Sequence, residues 1–431
     1  MLLCLDSLLY GGLVASRRSA DTVDQLLKRA GCLKKWCRQL NGPVFAQASI
    51  MRISDNYDPT EEKPYWAHYG REIFAWSYLL HQLTRGQKIA SGSLARIEDQ
   101  VPAEILSDYL QGRRRNFHVN RALLNTYLKS EALNLLIFSL DDSGAFGLNI
   151  LEKERLLQLA GQLHLSHKAL CYPGADEVVL TMLSRWLIQL AGVSPCAQVI
   201  YSSPETASCP SRYEGQSISE TVASQLAASA ITQTDRCSTA ADFTVLIHGR
   251  PGYQGDHIYL PGQDDLRSLD TTSSVEQTLA ALTDGQQPVV LCDVAYANGA
   301  DPALIEALLK RPELLARLWS YAGWNTTGNT VGSALATGVA RWFAGRRTAA
   351  PTSEHTDLAQ NLKTCLFVRL ADDWAYQAVV RKTLSGPASS AQLSSSMDPY
   401  LNQLAAALDL SVPAVNLRHP WQRTFEIEVA L

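Results

Sequence analysis

One recurring unit constrains this chain more than any other feature. A short apolar run ends in a polar or Gly-containing turn, and a helix-length amphipathic stretch follows. Residues 2–5, 44–51, 134–140, 168–171, 197–201, 243–247 and 289–291 have the length and content of buried strands. Residues 21–40, 65–84, 102–130, 152–163, 178–191, 217–230, 274–282 and 302–310 have the apolar spacing of helices, and residues 315–321 fit either state. Strands that alternate with helices form a parallel sheet, because parallel neighbours need long crossovers. The chain is therefore read as α/β. An open doubly wound sheet and a (β/α) barrel both fit, and the number of units favours the barrel. So do the polar residues at nearly every strand end, since a barrel brings all those ends to one face. No Gly-rich dinucleotide fingerprint follows any strand. The division expected is a (β/α)-barrel-like catalytic or binding domain over residues 1–343 and a small C-terminal α+β appendage over 357–431. Two small-residue stretches, 344–356 and 386–396, read as a linker and a flexible excursion.

Composition narrows the function classes. Apolar residues make up 46% of 431 and charged residues 19%, enough to build a large core. Lys plus Arg is 38 against 42 Asp plus Glu, so no basic excess exists to neutralise nucleic-acid phosphates. No apolar run approaches the ~20 residues of a membrane-spanning helix. The opening Met1-Leu2-Leu3-Cys4-Leu5-Asp6 lacks a basic segment before its apolar residues and does not read as a signal peptide. The nine cysteines include no Cys-x-x-Cys pair, so a reduced, cytoplasmic protein is expected, with Cys171 and Cys292 in the core.

The strand ends carry specific motifs. Leu5-Asp6-Ser7 is followed by Tyr10-Gly11-Gly12-Leu13-Val14-Ala15-Ser16-Arg17. Arg113-Arg114-Arg115-Asn116 stands with Asn120, and Asp141-Asp142 with Gly147. Tyr172-Pro173-Gly174-Ala175-Asp176-Glu177, Asp293-Val294-Ala295 with Asn298-Gly299-Ala300-Asp301, and Tyr321-Ala322-Gly323-Trp324-Asn325-Thr326 complete the set. Together they resemble the bacterial family named domain of unknown function 4127. The tail Pro420-Trp421-Gln422-Arg423-Thr424-Phe425-Glu426 is similar to the end of that family as well. The resemblance spans essentially the whole chain and implies no activity. It does imply an earlier strand with a Pro-Leu-Asp-x-Arg-Pro-like motif, which this sequence lacks. A barrel incomplete at its N-terminus follows as an expectation, with poor solubility or oligomerisation.

Asp141-Asp142 is the strongest local signal for chemistry. Two adjacent acids at a strand end point in different directions, so one can act on a substrate while the other orients a group. Paired acids after a barrel strand resemble glycosidases in which one acid positions the substrate's acetamido group and the other protonates the leaving oxygen. The plainer reading is a helix N-cap and a solvated acid. Glu205 and Asp293 are the other candidate acids or bases, Asp293 on an apolar strand where a carboxyl needs a partner or shifts its pKa. Asp6, Arg52, Arg115, Asn116, Asp176, Glu177, His248, Asn298, Asp301, Tyr321, Trp324 and Asn325 are the candidate substrate-binding residues. Asp176 and Glu177 equally suit the first turn of a helix, where acids meet its dipole. His248 equally suits a hydrogen-bonded structural role. Tyr321 and Trp324 beside Asn325 suit a sugar, whose C–H faces stack on aromatic rings. With nine Trp and 16 Tyr in the chain, aromatics alone decide nothing.

The leading expectation is a hydrolase acting on a glycan or glycoside by carboxylate acid/base catalysis. Asp142 or Glu205 would be the acid, with Asp293 or Asp141 as its partner. A small-molecule or glycan substrate is the only partner expected, without nucleic acid or membrane. No cofactor is expected, and zinc spacing is absent. An oxygen-rich Mg, Ca or Mn site built from Asp6, Asp141, Asp142 and Asp293 stays open, as in a metal-dependent hydrolase. A non-catalytic carbohydrate-binding barrel is the third reading.

Overall fold

A computed structural model describes residues 1–40, 42–234, 241–258, 269–347, 353–411 and 414–431. The chain divides into two compact units. The first holds Met1–Met182 with Tyr213–Gln216, and the second Leu183–Arg212 with Ser217–Leu431.

In the first unit, β1 (Leu2–Cys4), β2 (Phe45–Ile50), β3 (Leu135–Leu140) and β4 (Ala169–Pro173) form a parallel sheet in the order β1-β2-β3-β4. Every crossover steps the same way. With the right-handed connections that strand twist favours, such an order puts the crossover helices on one face. The packing agrees. Leu26 and Leu33 of the helix Val23–Gln39, Val119 of Ala103–Ala122 and Leu156 of Leu148–Gln162 share one core with Ala46, Ala48, Leu136 and Phe138. The alternate side chains of β2 and β3 are buried too, apolar at Phe45, Leu135 and Ile137 and polar toward the strand ends at Gln47, Ser49 and Ser139. Gln47 Nε2 donates to Ser139 Oγ at 2.8 Å, and Ser49 and Ser139 lie opposite each other at 3.0 Å.

In the second unit, β5 (Cys196–Tyr201), β6 (Thr232–Thr234), β7 (Phe243–His248), β8 (Val289–Asp293) and β9 (Leu318–Ala322) form a parallel sheet in the spatial order β6-β5-β7-β8-β9. Numbered within the unit this is 2-1-3-4-5, a doubly wound order whose direction reverses between β5 and β7. Both faces are covered, as that order requires. Val245, Ile247, Val290 and Cys292 pack with Val331 and Leu335 on one face. Leu246, Val289 and Leu291 pack with Leu279, Leu304 and Phe367 on the other. Burial on both faces explains why these strands read as continuous apolar runs.

The apolar runs thus mark real strands in parallel sheets. They belong to two sheets, however, and no closed barrel is among the sheets of the described residues. Period and composition mark a strand but do not say which strand it joins. The C-terminal residues share the core of the second unit, where Leu393, Met397, Leu401 and Leu404 pack with Phe367 and Leu304. Stretch 386–396, expected to be a flexible excursion, is instead mostly the start of the helix Ser390–Ala407. Ser389 Oγ accepts from the Gln392 N–H and the Gln392 side chain answers the Ser389 N–H, a reciprocal cap that starts the helix. Near the C-terminus, Glu428–Ala430 is extended and pairs antiparallel with Asn416–Arg418. Residues 348–352 of the expected linker lie outside the described residues, and the helix Thr327–Arg347 occupies its first part. No helix among the described residues is long and apolar enough to cross a membrane. Cys292 is buried, Cys171 is half-buried, and the described cysteines are free thiols.

Candidate functional site

The ends of β1, β2 and β3 bring one charged cluster together. Arg17 lies on the helix Leu13–Arg18 that follows β1, Arg52 and Glu61-Glu62 follow β2, and Asp141-Asp142 follow β3. Arg17 Nη2 pairs with Asp141 Oδ2 at 2.5 Å, and Arg17 Nη1 reaches Glu61 at 3.4 Å and Glu62 at 3.3 Å. Arg52 pairs with Glu62 at 2.8 Å, Glu61 at 3.1 Å, Asp142 at 3.1 Å and Asp141 at 3.5 Å. Two guanidiniums thus serve four carboxyls, which leaves the cluster short of positive charge.

Solvent access separates the members. The Arg17 side chain is 1% exposed, whereas Asp141 and Asp142 keep 22% and 30%. Partial burial pushes the Asp142 carboxyl up to about 6, and the charge of Asp141 adds to it against Arg52 and Arg17. Asp142 also sits at φ 42°, a left-handed conformation uncommon outside glycine, held by the turn that leaves β3. Two adjacent carboxyls are therefore held in different ways. One is clamped by a buried arginine, and the other is reached by water and keeps its proton toward neutral pH.

Three other candidates in this unit act as braces. Asp6 is buried and accepts from the Ser49 N–H at 2.9 Å and Gln47 Nε2 at 3.2 Å. Burial raises its pKa, against those hydrogen bonds. Arg115 and Asn116 hold the end of the helix Leu13–Arg18. Arg115 Nη2 and Asn116 Nδ2 donate to the Ser16 carbonyl at 2.6 and 3.0 Å, and Arg115 Nη1 donates to that of Ser19. They thereby set the helix that carries Arg17. Glu177 is buried against Gly174, where any Cβ would collide with its carboxyl, and Asp176 is exposed.

The second unit gathers His248, Asp293, Asp301 and Tyr321. The register of β7 and β8 sets His248 opposite Asp293. Asp293 Oδ2 accepts from the Asp301 N–H at 2.7 Å and from the Tyr321 hydroxyl at 3.0 Å. His248 lies 2.8 Å from Thr278 Oγ1 and 3.0 Å from Asp301 Oδ2, and Asp301 Oδ1 caps the helix Pro302–Leu309 through the Ala303 N–H. Burial would push His248 down, but the Asp301 hydrogen bond and both carboxylates raise it. Burial would also raise Asp301, yet His248 holds it below the usual carboxylate range. Burial pushes Asp293 up to about 7 against the charge of His248. Asp293 and His248 are 0% exposed and Asp301 1%, so this network meets no solvent. It is built as a hydrogen-bonded hub tying β7, β8 and β9 together. Asn298 donates to Asp256 at 2.9 Å, and the Trp324 ring lies 5.7 Å from that of Phe425. Asn325 is half-buried at φ 68°, and its carbonyl accepts from the Asn298 N–H.

Glu205 stands apart from both clusters, exposed at the end of β5 in a cleft of about 340 Å³ shared with Ser203, Arg250, Asp270 and Ser274. Arg17, Glu61 and Glu62 escape sequence reasoning as site residues, because only the folded chain sets them against Asp141. Arg17 did stand in the motif after Asp6, but with nothing to show its partner. Among the described residues, no group of three or more His, Cys, Asp or Glu side chains is arranged to hold a metal ion.

The family profile described as Protein of unknown function (DUF4127) matches residues 1–430, essentially the whole chain. No curated protein and no solved structure matches it.

Proposed function

This chain belongs to the DUF4127 family, and for it we propose a hydrolase of glycans or glycosides that works by carboxylate acid/base catalysis at Asp142 and Asp141. One observation carries the reading: of two adjacent strand-end acids that water can reach, Asp142 is the one pushed up to about 6, while Asp141 is clamped by Arg17 at 2.5 Å. Neighbouring carboxyls with different environments are what an acid and its partner need.

In this mechanism Asp142 gives its proton to the glycosidic oxygen as the C–O bond breaks. Asp141, held still by Arg17, orients the 2-acetamido group of the sugar, whose carbonyl oxygen closes on the anomeric carbon. Water then opens that intermediate and returns a proton to Asp142. Arg52, in contact with both acids, keeps their charges from driving the turn apart. A (β/α)-barrel-like frame belongs to the same reading, because the order β1-β2-β3-β4 is the progressive order of four barrel units.

The test is turnover by the full chain of a panel of aryl glycosides that includes 4-nitrophenyl N-acetyl-β-D-glucosaminide. Hydrolysis of at least one member is expected, with kcat/KM falling about 100-fold or more in Asp142→Asn. No turnover across the panel, or an unchanged rate in Asp142→Asn, would overturn the proposal.

A further inference from the structure

The second unit has a cleft where its topology predicts one. In a doubly wound sheet, ligands bind beyond the carboxyl ends of the strands, at the point where the order reverses. Here that point lies between β5 and β7. The cleft of about 340 Å³ is lined by Ser203 and Glu205 from the end of β5, Arg250 from the end of β7, and Asp270 and Ser274 around the start of the helix Thr272–Asp284. Its size is at the lower end of the roughly 300–1,000 Å³ typical of small-molecule sites.

The mouth is braced. Ser202 Oγ donates to the Gly249 carbonyl at 2.7 Å and accepts from the Gly249 N–H at 3.1 Å, and Thr206 Oγ1 donates to the same carbonyl at 3.1 Å. These bonds fix the two strand-end loops against each other. The groups they hold have capacity to spare. Arg250 donates only Nε, to the Asp270 carbonyl at 3.2 Å, and stacks on Tyr253. Among the described residues its two Nη atoms meet no carboxylate within ion-pairing distance. The exposed carboxylate of Glu205 has no hydrogen bond among the described residues. The Ser274 hydroxyl belongs to a residue only 4% exposed that lines the cleft, and it too makes no hydrogen bond among the described residues. Unpaired at the wall of the cleft, that hydroxyl can both donate to and accept from a ligand.

The chemistry of these groups selects the ligand. Glu205 and Asp270 set two negative charges against the single Arg250, which disfavours a phosphate or another anion. Only Pro251 among the lining residues is of an apolar type and none is aromatic, so no ring lines the cleft to stack on a nucleobase or a flavin. A free guanidinium end, a free carboxylate and hydroxyls close together match vicinal hydroxyl groups, which donate to the carboxylate and accept from the arginine. We propose that this cleft binds a neutral polyhydroxylated ligand, a single sugar unit, through Arg250, Glu205 and Ser274. The site is independent of the Asp141–Asp142 centre, and each proposal has its own variants.

The full chain is titrated by calorimetry with N-acetyl-D-glucosamine, D-glucose and inorganic phosphate as separate probes. The proposal expects saturable binding of at least one of the two sugars, weakened tenfold or more by Arg250→Ala and by Glu205→Gln. Glu205 is exposed, so Glu205→Gln tests the site without disturbing the fold. Absence of saturable binding by either sugar, sugar binding that either variant leaves intact, or binding of phosphate alone overturns it. Glycoside turnover without any sugar binding that depends on Glu205 would sink this site and spare the acid pair. Such binding without turnover would do the reverse.

Discussion

Water decides what Asp142 and Asp293 can do. Both are acids at the end of an apolar strand, and both hold a proton toward neutral pH, Asp142 to about 6 and Asp293 to about 7. Asp142 keeps 30% of its side-chain surface, while Asp293 keeps none and spends its oxygens on Tyr321 and the Asp301 N–H. The account therefore assigns chemistry to Asp142 and stability to Asp293. Asp293→Asn is expected to cost about 1–3 kcal/mol, because one face of the new amide has no matching partner. The cost depends on pH. An unfolded Asp titrates near 3.9. The native proton on Asp293 thus contributes stability in full below about 4, and this is lost as pH rises through about 7. Thermal unfolding should show a larger deficit for the variant at pH 5 than at pH 8, and a deficit that grows with pH would contradict the assignment. Sequence made both acids visible as strand-end carboxyls. It could not separate them, because exposure is set by residues distant along the chain, as Arg17 is from Asp141.

Elements were legible to the extent that burial is two-sided. β3 and β7 are buried along their whole length, so apolar residues dominate both and they need no alternation to be recognised. The helix Ser390–Ala407 went the other way. Its Ser/Ala-rich start looks like a flexible stretch, yet Leu393, Met397, Leu401 and Leu404 recur at helical spacing and are buried. The deciding signal is local, a Ser followed three residues later by Gln. Ser389→Ala should lower stability by about 0.5–2 kcal/mol, and Ser389→Asp, which can still cap, should restore most of it. Equal melting temperatures for all three proteins would show that the cap is not what starts this helix. Helices Leu5–Tyr10 and Leu13–Arg18 were missed because each is only six residues long, too short for a periodic pattern.

Across the whole molecule, the alternation of strand and helix was readable and the pairing of strands was not. The same pattern serves a progressive order, as in β1 to β4, and a doubly wound order, as in β5 to β9. The difference lies in where each crossover returns, which no local period records. It matters for function, because a progressive order gathers successive strand ends such as those of Arg52 and Asp141, whereas a reversal opens a cleft between β5 and β7. The central claim is that Asp142 donates the proton in glycoside cleavage. Its most direct test is the pH dependence of kcat/KM for the full chain on its best aryl glycoside, in wild type and in Asp141→Asn. Activity should fall above about pH 6, where Asp142 gives up its proton, and the fall should move to lower pH in the variant, because the Asp141 charge no longer holds that proton on. A profile that keeps rising through pH 8, or a fall that stays in place when Asp141 is neutralised, would contradict the account.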